Sequence, residues 1–267
     1  MSLDDTASLT SFLNRHPDVV MVTVVQAKGS TPRDAGTFML VGKHALFGTI
    51  GGGQLEFIGI EKARKLLADG LDRDTLSLPL GPEIGQCCGG WVELALEVLT
   101  VERRAALDAR MQRATAQQPQ VFIFGAGHVG LALTAALSPL PFRVVLLDSR
   151  EHIDGEIPHG TDFRRVALPE AQVAEIAQGG AAVILTHDHA LDFLIAREAL
   201  ARDDLAYIGM IGSATKRATF AHWLAREGGD KAQLTRLTLP IGAGPIKDKR
   251  PAVIAALVAA ELLHKLC

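Results

Sequence analysis

One stretch, Gln120 to Asp148, reads QVFIFGAGHVGLALTAALSPLPFRVVLLD and constrains the chain more than any other. It opens on Val121 to Phe124, an apolar run of the kind a strand buried on both faces shows. Gly125, Gly127 and Gly130 follow in G-x-G-x-x-G spacing, and an Ala/Leu-rich helical segment continues from Leu131 to Leu137. A second strand-like run, Val144 to Leu147, ends in Asp148. Each glycine has a mechanical reason. Gly125 permits a tight turn, Gly127 lets backbone amides approach an anion, and Gly130 lets helix pack on strand. The helix-start amides and the helix dipole then suit a phosphate. Asp148, about twenty residues on, stands where a ribose hydroxyl is read in dinucleotide-binding units. Strand, glycines, helix, strand and acid fall in the order of a Rossmann-type unit.

The alternation of strand and helix continues from there. Short strands are expected over Asp162–Ala167, Ala181–Leu185 and Ala206–Ile211. The helices expected between and after them are Glu170–Gln178, Leu191–Leu200, Ala214–Arg226 and Pro251–Leu266. Right-handed crossovers then give strand order 3-2-1-4-5. The predicted fold class is therefore α/β: a C-terminal, Rossmann-type, doubly wound parallel sheet beside a smaller N-terminal α+β domain. The expected boundaries are an N-terminal domain over 1–100, a helical linker over 101–118 and the Rossmann-type domain over 119–267.

Before the linker, Val19 to Val25 is a β-branched run that reads as a buried strand. It leads into Lys28-Gly29-Ser30-Thr31-Pro32-Arg33-Asp34-Ala35-Gly36, a loop rich in turn formers. Thr37–Val41 and Ala45–Ile50 resemble a strand pair. Gly51, Gly52 and Gly53 precede a helix that runs from Gln54 to about Ala68. Consecutive glycine amides ahead of a helix can converge on an anion, or simply let backbone pass backbone. Gly85-Gln86-Cys87-Cys88-Gly89-Gly90 precedes the alternating strand Trp91–Val98. Cysteines among glycines are open to ligands and can be held as thiolates, which fits a soft metal or sulfur chemistry. They could equally be two small buried residues.

Composition removes several classes. A net charge of −3 gives no electrostatic case for nucleic acid or an anionic membrane. No uninterrupted apolar stretch of about twenty residues occurs, so a transmembrane helix is not expected. The polar N-terminus is unlike a signal peptide, and a cytoplasmic protein is expected. With 3 cysteines, two of them adjacent, there is no disulfide framework. Thr186-His187-Asp188-His189, followed by Asp192, lies at the end of the fourth strand of the sheet. It could ligate a metal or hydrogen-bond across a crevice. Gly212 and Ser213, with Lys216 and Arg217, follow the fifth strand, where they could meet an anionic ligand or cap a helix.

These loops together resemble one family. VTVVQAKGSTPRDAGTFMLV, GTIGGGQLE and QCCGG resemble the N-terminal domain of the XdhC/CoxI family, the xanthine dehydrogenase accessory proteins. VFIFGAGHVGLAL, LTHDHALD, YIGMIGSATKR and LPIGAGPI look like its C-terminal domain. One departure is PIGAGPIKDKRPAV, which lacks the acidic residue that follows the proline in the family's PIGxxIGxKTPxE-like segment. The resemblance implies a carrier and insertion chaperone for molybdenum cofactor, with no turnover of its own. Such a protein holds the pterin while a cysteine desulfurase installs its terminal sulfur, then delivers it to xanthine dehydrogenase or a related molybdenum hydroxylase. It also implies a homodimer. The implied cofactor-binding residues are Arg33, Gly51, Gly52, Gly53, Gln54, Cys87, Cys88, Gly125, Gly127, His128, Gly130, Asp148, His187, Asp188, His189, Gly212 and Ser213, with Cys87 and Cys88 facing molybdenum.

Asp148 pulls the other way, because the molybdopterin form of the cofactor has no ribose diol. Three readings are open: a purely structural Asp148, a dinucleotide form of the cofactor, or binding of NAD or another nucleotide. An NAD(P)-dependent oxidoreductase is the alternative function. A metal-dependent hydrolase built on His187, His189 and Asp192 is a third.

Overall fold

The computed structural model describes residues 3–81 and 89–267. The chain divides into two compact units, one of Thr6–Gln112 and one of Arg113–Cys267 together with the residues before Thr6.

The first unit is an α+β layer structure. Helix α1 (Leu3–Arg15) precedes strands β1 (Val19–Lys28), β2 (Phe38–Gly42) and β3 (Leu46–Gly48), helix α2 (Gly53–Ala68), strands β4 (Arg73–Leu80) and β5 (Gly90–Val98), and helix α3 (Val101–Ala116). The five-stranded sheet has order β3-β2-β1-β5-β4 with antiparallel neighbours throughout. Its central strand shows why one hydrophobic run can serve two cores. Side chains alternate across a strand, so Val20, Val22 and Val24 pack with Leu55, Ala63 and Leu66 of α2. Val19, from the same strand, packs instead with Leu9, Phe12 and Leu13 of α1 and with Leu107 and Met111 of α3. The sheet is thus covered on both faces.

Strand β4 is absent from the elements expected above. Its Leu76, Leu78 and Leu80 alternate with polar residues, and Pro79 breaks the pattern. The structure accommodates that proline because β4 is an edge strand, where a missing donor is tolerated.

The second unit contains β6 (Gln120–Phe124), α4 (His128–Leu137), β7 (Arg143–Asp148), β8 (Asp162–Arg165), β9 (Ala181–Ile184), α5 (His189–Ala201), β10 (Tyr207–Met210), α6 (Ala214–Arg226), β11 (Leu237–Thr238) and α7 (Pro251–Leu266). The six-stranded sheet runs β11-β10-β9-β6-β7-β8, and every neighbouring pair is parallel. This is the anticipated order with one two-residue strand added outside the fifth. Helices α4 and α7 cover one face, through Leu133, Leu137, Val258 and Leu262 against Val121 and Ile123. Helices α5 and α6 cover the other, through Ile195, Ala196, Phe220 and Leu224 against Phe122 and Phe124.

The expected helix over Glu170–Gln178 is instead a 3₁₀ turn, Pro169–Glu175. Gly179 and Gly180 lie just beyond Gln178, so the segment is too short to propagate an α-helix before the next strand begins. No helix of the described residues is long and apolar enough to cross a membrane.

Candidate functional site

In the second unit the chemistry gathers at the carboxyl ends of β6, β7, β9 and β10, around the point where strand order reverses between β6 and β9. A small cleft there is lined by Gly125, Asp148, Ser149, Thr186 and His187. Gly125 has φ +119°, and a Cβ on it would come 2.5 Å from the Leu185 carbonyl oxygen. Only glycine fits. A Cβ on Gly130 would come 1.9 Å from the Gly125 carbonyl oxygen, so this residue sets how closely α4 approaches β6. Gly127, the N-cap of α4, has nothing within 4 Å of where a Cβ would stand. The loop is therefore open where an anion would meet its amides. His128 is exposed in the first turn of α4.

Asp148 is only 5% exposed, and its carboxylate is fully engaged. Oδ1 accepts from the Arg150 backbone N–H at 2.8 Å and from Arg150 Nε at 3.0 Å. Oδ2 accepts from the Ala126 N–H at 2.7 Å and from Arg150 Nη2 at 2.8 Å. Burial pushes the carboxyl pKa up, but the Arg150 guanidinium and the two amides outweigh it and hold the group below its ordinary range. Arg150, two residues beyond the acid, was not among the anticipated site residues. Nothing in residue type or spacing shows that its side chain folds back.

The loop after β9 is organised by Asp192, which is fully buried. Its Oδ1 accepts from the Thr186 N–H at 3.1 Å and the Thr186 hydroxyl at 2.7 Å. Its Oδ2 pairs with the Lys216 ammonium, which also donates to the Ile211 carbonyl at 3.0 Å. Lys216 thereby ties the end of β9 to the end of β10. Asp188 caps α5 by accepting from the Ala190 N–H at 2.8 Å, while His187 and His189 are exposed. Ser213 caps α6 by accepting from the Lys216 N–H at 3.2 Å, and Gly212 lies against the Lys216 stem. Arg217 donates to the carbonyls of Leu234 and Leu237 at 3.0 and 2.9 Å, anchoring β11. Among the described residues, no group of three or more His, Cys, Asp or Glu side chains is placed to hold a metal ion.

In the first unit, three loops leave the same end of the sheet, because Lys28 pairs with Trp91, Met39 with Gly48, and Leu80 with Gly90. Gly51, Gly52 and Gly53 all have positive φ and do form a nest, but its occupant is internal. Glu56 Oε2 accepts from the Ile50 N–H at 3.0 Å, the Gly52 N–H at 3.1 Å and the Thr49 hydroxyl. The Gly51 N–H donates to Thr49 Oγ1 at 3.1 Å. Glu56, in the first turn of α2, thus accepts from the N-cap amide of its own helix, which is one half of a capping box. Its signal was readable as Thr49 and Glu56 flanking the glycines.

A Cβ on Gly51 would stand 2.7 Å from the Pro32 ring and 3.5 Å from Arg33 Cγ, which places Arg33 beside the nest. Arg33 is exposed and makes no ion pair among the described residues, and Gln54, which follows Gly53, is also exposed. Gly90 abuts the first loop closely, since a Cβ there would come 2.2 Å from the Ser30 carbonyl oxygen. The Lys28 ammonium sits 5.1 Å from the Trp91 ring centroid, within cation–π range. Cys87 and Cys88 lie outside the described residues.

Comparison with known proteins agrees with this architecture. The chain is 26% identical over 254 residues to the uncharacterized protein YqeB of Escherichia coli (strain K12). That match takes in 91% of this chain but 43% of YqeB, so the chain spans less than half the length of this relative. A crystal structure named as a xanthine dehydrogenase from Bacillus halodurans superposes with a TM-score of 0.80 at 20% identity, over 99% of this chain and 95% of that one. At that identity the likeness shows a shared fold. The model of the XdhC Rossmann domain matches residues 121–262, more than half of the chain, and that of the XdhC and CoxI family matches residues 12–78. On these matches, the chain belongs to the XdhC and CoxI family.

Proposed function

We propose that this protein is an accessory factor that binds molybdenum cofactor and hands it to xanthine dehydrogenase or a related molybdenum hydroxylase. The observation that carries the proposal is membership of the XdhC and CoxI family through matches to both halves of the chain. The first unit's loop cluster supports it in chemical terms. Arg33 is an exposed cation at the end of the sheet where Gly89 and Gly90 follow the two cysteines. A guanidinium suits a phosphate or oxo group, and thiolates suit the soft metal–dithiolene end. Glu56 occupies the nest at Gly51–Gly53, so in this reading those glycines shape the wall beside Arg33 instead of holding the phosphate.

The role proposed is holding and delivery, with no chemistry of its own. A cysteine desulfurase acts on the bound cofactor, and two copies of the chain work as a dimer. The molybdopterin form is the ligand assigned to this cluster.

The test is anaerobic isothermal titration of the full chain with molybdenum cofactor, with NAD as comparator. Uptake of cofactor, weakened at least tenfold by Arg33→Ala or by Cys87→Ala with Cys88→Ala, supports the reading. Absence of uptake, with tight NAD binding, overturns it in favour of an oxidoreductase. Cofactor uptake unchanged in the double cysteine variant would remove the thiolates from the site.

A further inference from the structure

The glycine loop of the second unit is open at Gly127, yet the acid that ought to read a ribose beside it is already committed. A carboxylate has about four acceptor positions on its two oxygens. In Asp148 the four donors Arg150 N, Arg150 Nε, Arg150 Nη2 and Ala126 N fill them, at 2.7 to 3.0 Å. A ribose diol approaching Asp148 would have to displace a bidentate guanidinium from a site that is 5% exposed. Charge points the same way. A lone Asp148 would repel a phosphate on the adjacent amides, and its pairing with Arg150 cancels that repulsion. Arg150 is itself the more open partner, with its side chain 28% exposed. A guanidinium carries about five N–H donors, and two of the Arg150 donors are given to Asp148. Among the described residues the others have no hydrogen-bond acceptor, and Asp154 is the further carboxylate with which an incoming anion would compete for them.

We propose that Arg150 determines the ligand class of this cleft, closing Asp148 to a free ribose diol and offering a phosphomonoester a cation in its place. Dinucleotide sites discriminate in these terms, an acid reading the 2′-hydroxyl and a nearby Arg receiving a 2′-phosphate. Here one short segment carries both residues, and the Arg masks the acid. This assignment does not depend on what the first unit's loops bind.

NADH and NADPH are suitable probes because they differ only in the 2′-phosphate. Fluorescence titration of the full chain is expected to show NADPH bound at least tenfold more tightly than NADH. Arg150→Ala, and Arg150→Met as a variant that keeps an apolar stem in the cleft, should lose NADPH affinity and gain NADH affinity as Asp148 is uncovered. Circular dichroism and thermal melting report whether each variant is folded. Equal or tighter NADH binding by the wild-type chain, binding of neither nucleotide, or a ratio unmoved in a folded variant would each overturn the proposal. The wild-type comparison alone decides it if both variants unfold. None of these outcomes bears on cofactor uptake by the first unit.

Discussion

Glu56→Ala is the sharpest perturbation of the first unit, because it removes a carboxylate oxygen that the protein uses in place of an external anion. Two backbone amides, Ile50 N–H and Gly52 N–H, and the Thr49 hydroxyl lose their acceptor together. Ile50 is buried and Gly52 half-buried, whereas Thr49 is exposed and regains a bond to water. At about 1 kcal/mol net for each of the two amides, the loss comes to about 2 kcal/mol. For a unit of about 100 residues, that corresponds to a fall of about 8 °C in melting midpoint. The chain has 2 tryptophans, so Trp91 fluorescence in a Trp223→Phe background reports the first unit selectively. Glu56→Gln, which keeps an acceptor but not the charge, should fall by about half as much. Added inorganic phosphate should restore part of the loss in Glu56→Ala and raise the wild-type midpoint much less, since only the variant has a vacant nest. A melting midpoint equal to wild type, or a rescue seen equally in both proteins, would refute the reasoning.

Other outcomes follow from the second unit. Lys216→Met leaves the fully buried Asp192 carboxylate without its cation, and denaturant unfolding should show a loss of about 3–5 kcal/mol. Pairing it with Asp192→Asn, which still accepts from Thr186, should recover most of that loss. The Asp148 carboxyl is held below its ordinary value of 3.8 in the folded chain, so its contribution is complete at higher pH. It is lost as pH falls below that value and through the depressed one. Acid titration of unfolding should therefore show a steeper decline below about pH 4 for wild type than for Asp148→Asn. Gly130→Ala drives a methyl into the Gly125 carbonyl, and calorimetry should show a destabilisation of about 3 kcal/mol together with loss of NADPH binding.

The periodic elements were readable in advance where burial and pattern agree. Helices α6 and α7 run over the anticipated residues, Ala214–Arg226 and Pro251–Leu266, since caps and proline mark their starts. The order of the parallel sheet followed from crossover handedness. Strand β11 escaped because two residues carry no period, and it exists only as an addition beside β10, anchored by Arg217. The site was legible as backbone and opaque as side chains. The glycine pattern located the loop and Asp148, but the fold-back of Arg150 depends on a rotamer that spacing does not encode. The same holds for the nest: consecutive glycines fitted convergent amides or a plain turn alike, while the anion filling the nest comes from the first turn of the following helix. Lys216 could be read as a cation for an anionic ligand or as part of a solvated helix cap, and only the placement of α6 beside α5 shows that its partner is Asp192.

The ladder between β4 and β5 has a consequence for the cysteines that lie between them. Leu80 pairs with Gly90, and the Gly89 N–H donates to the Leu80 carbonyl at 2.8 Å, so the two ends of the intervening segment are joined by the sheet itself. The entropy of bringing those ends together is met when the domain folds, not when a ligand arrives. The chain on either side of residues 82–88 is therefore fixed by the fold before any ligand binds. Substitution of Leu80 or Gly90, which would loosen those anchors, should weaken cofactor uptake far more steeply than inserting a few glycines between them, whose closure cost grows only with the logarithm of length.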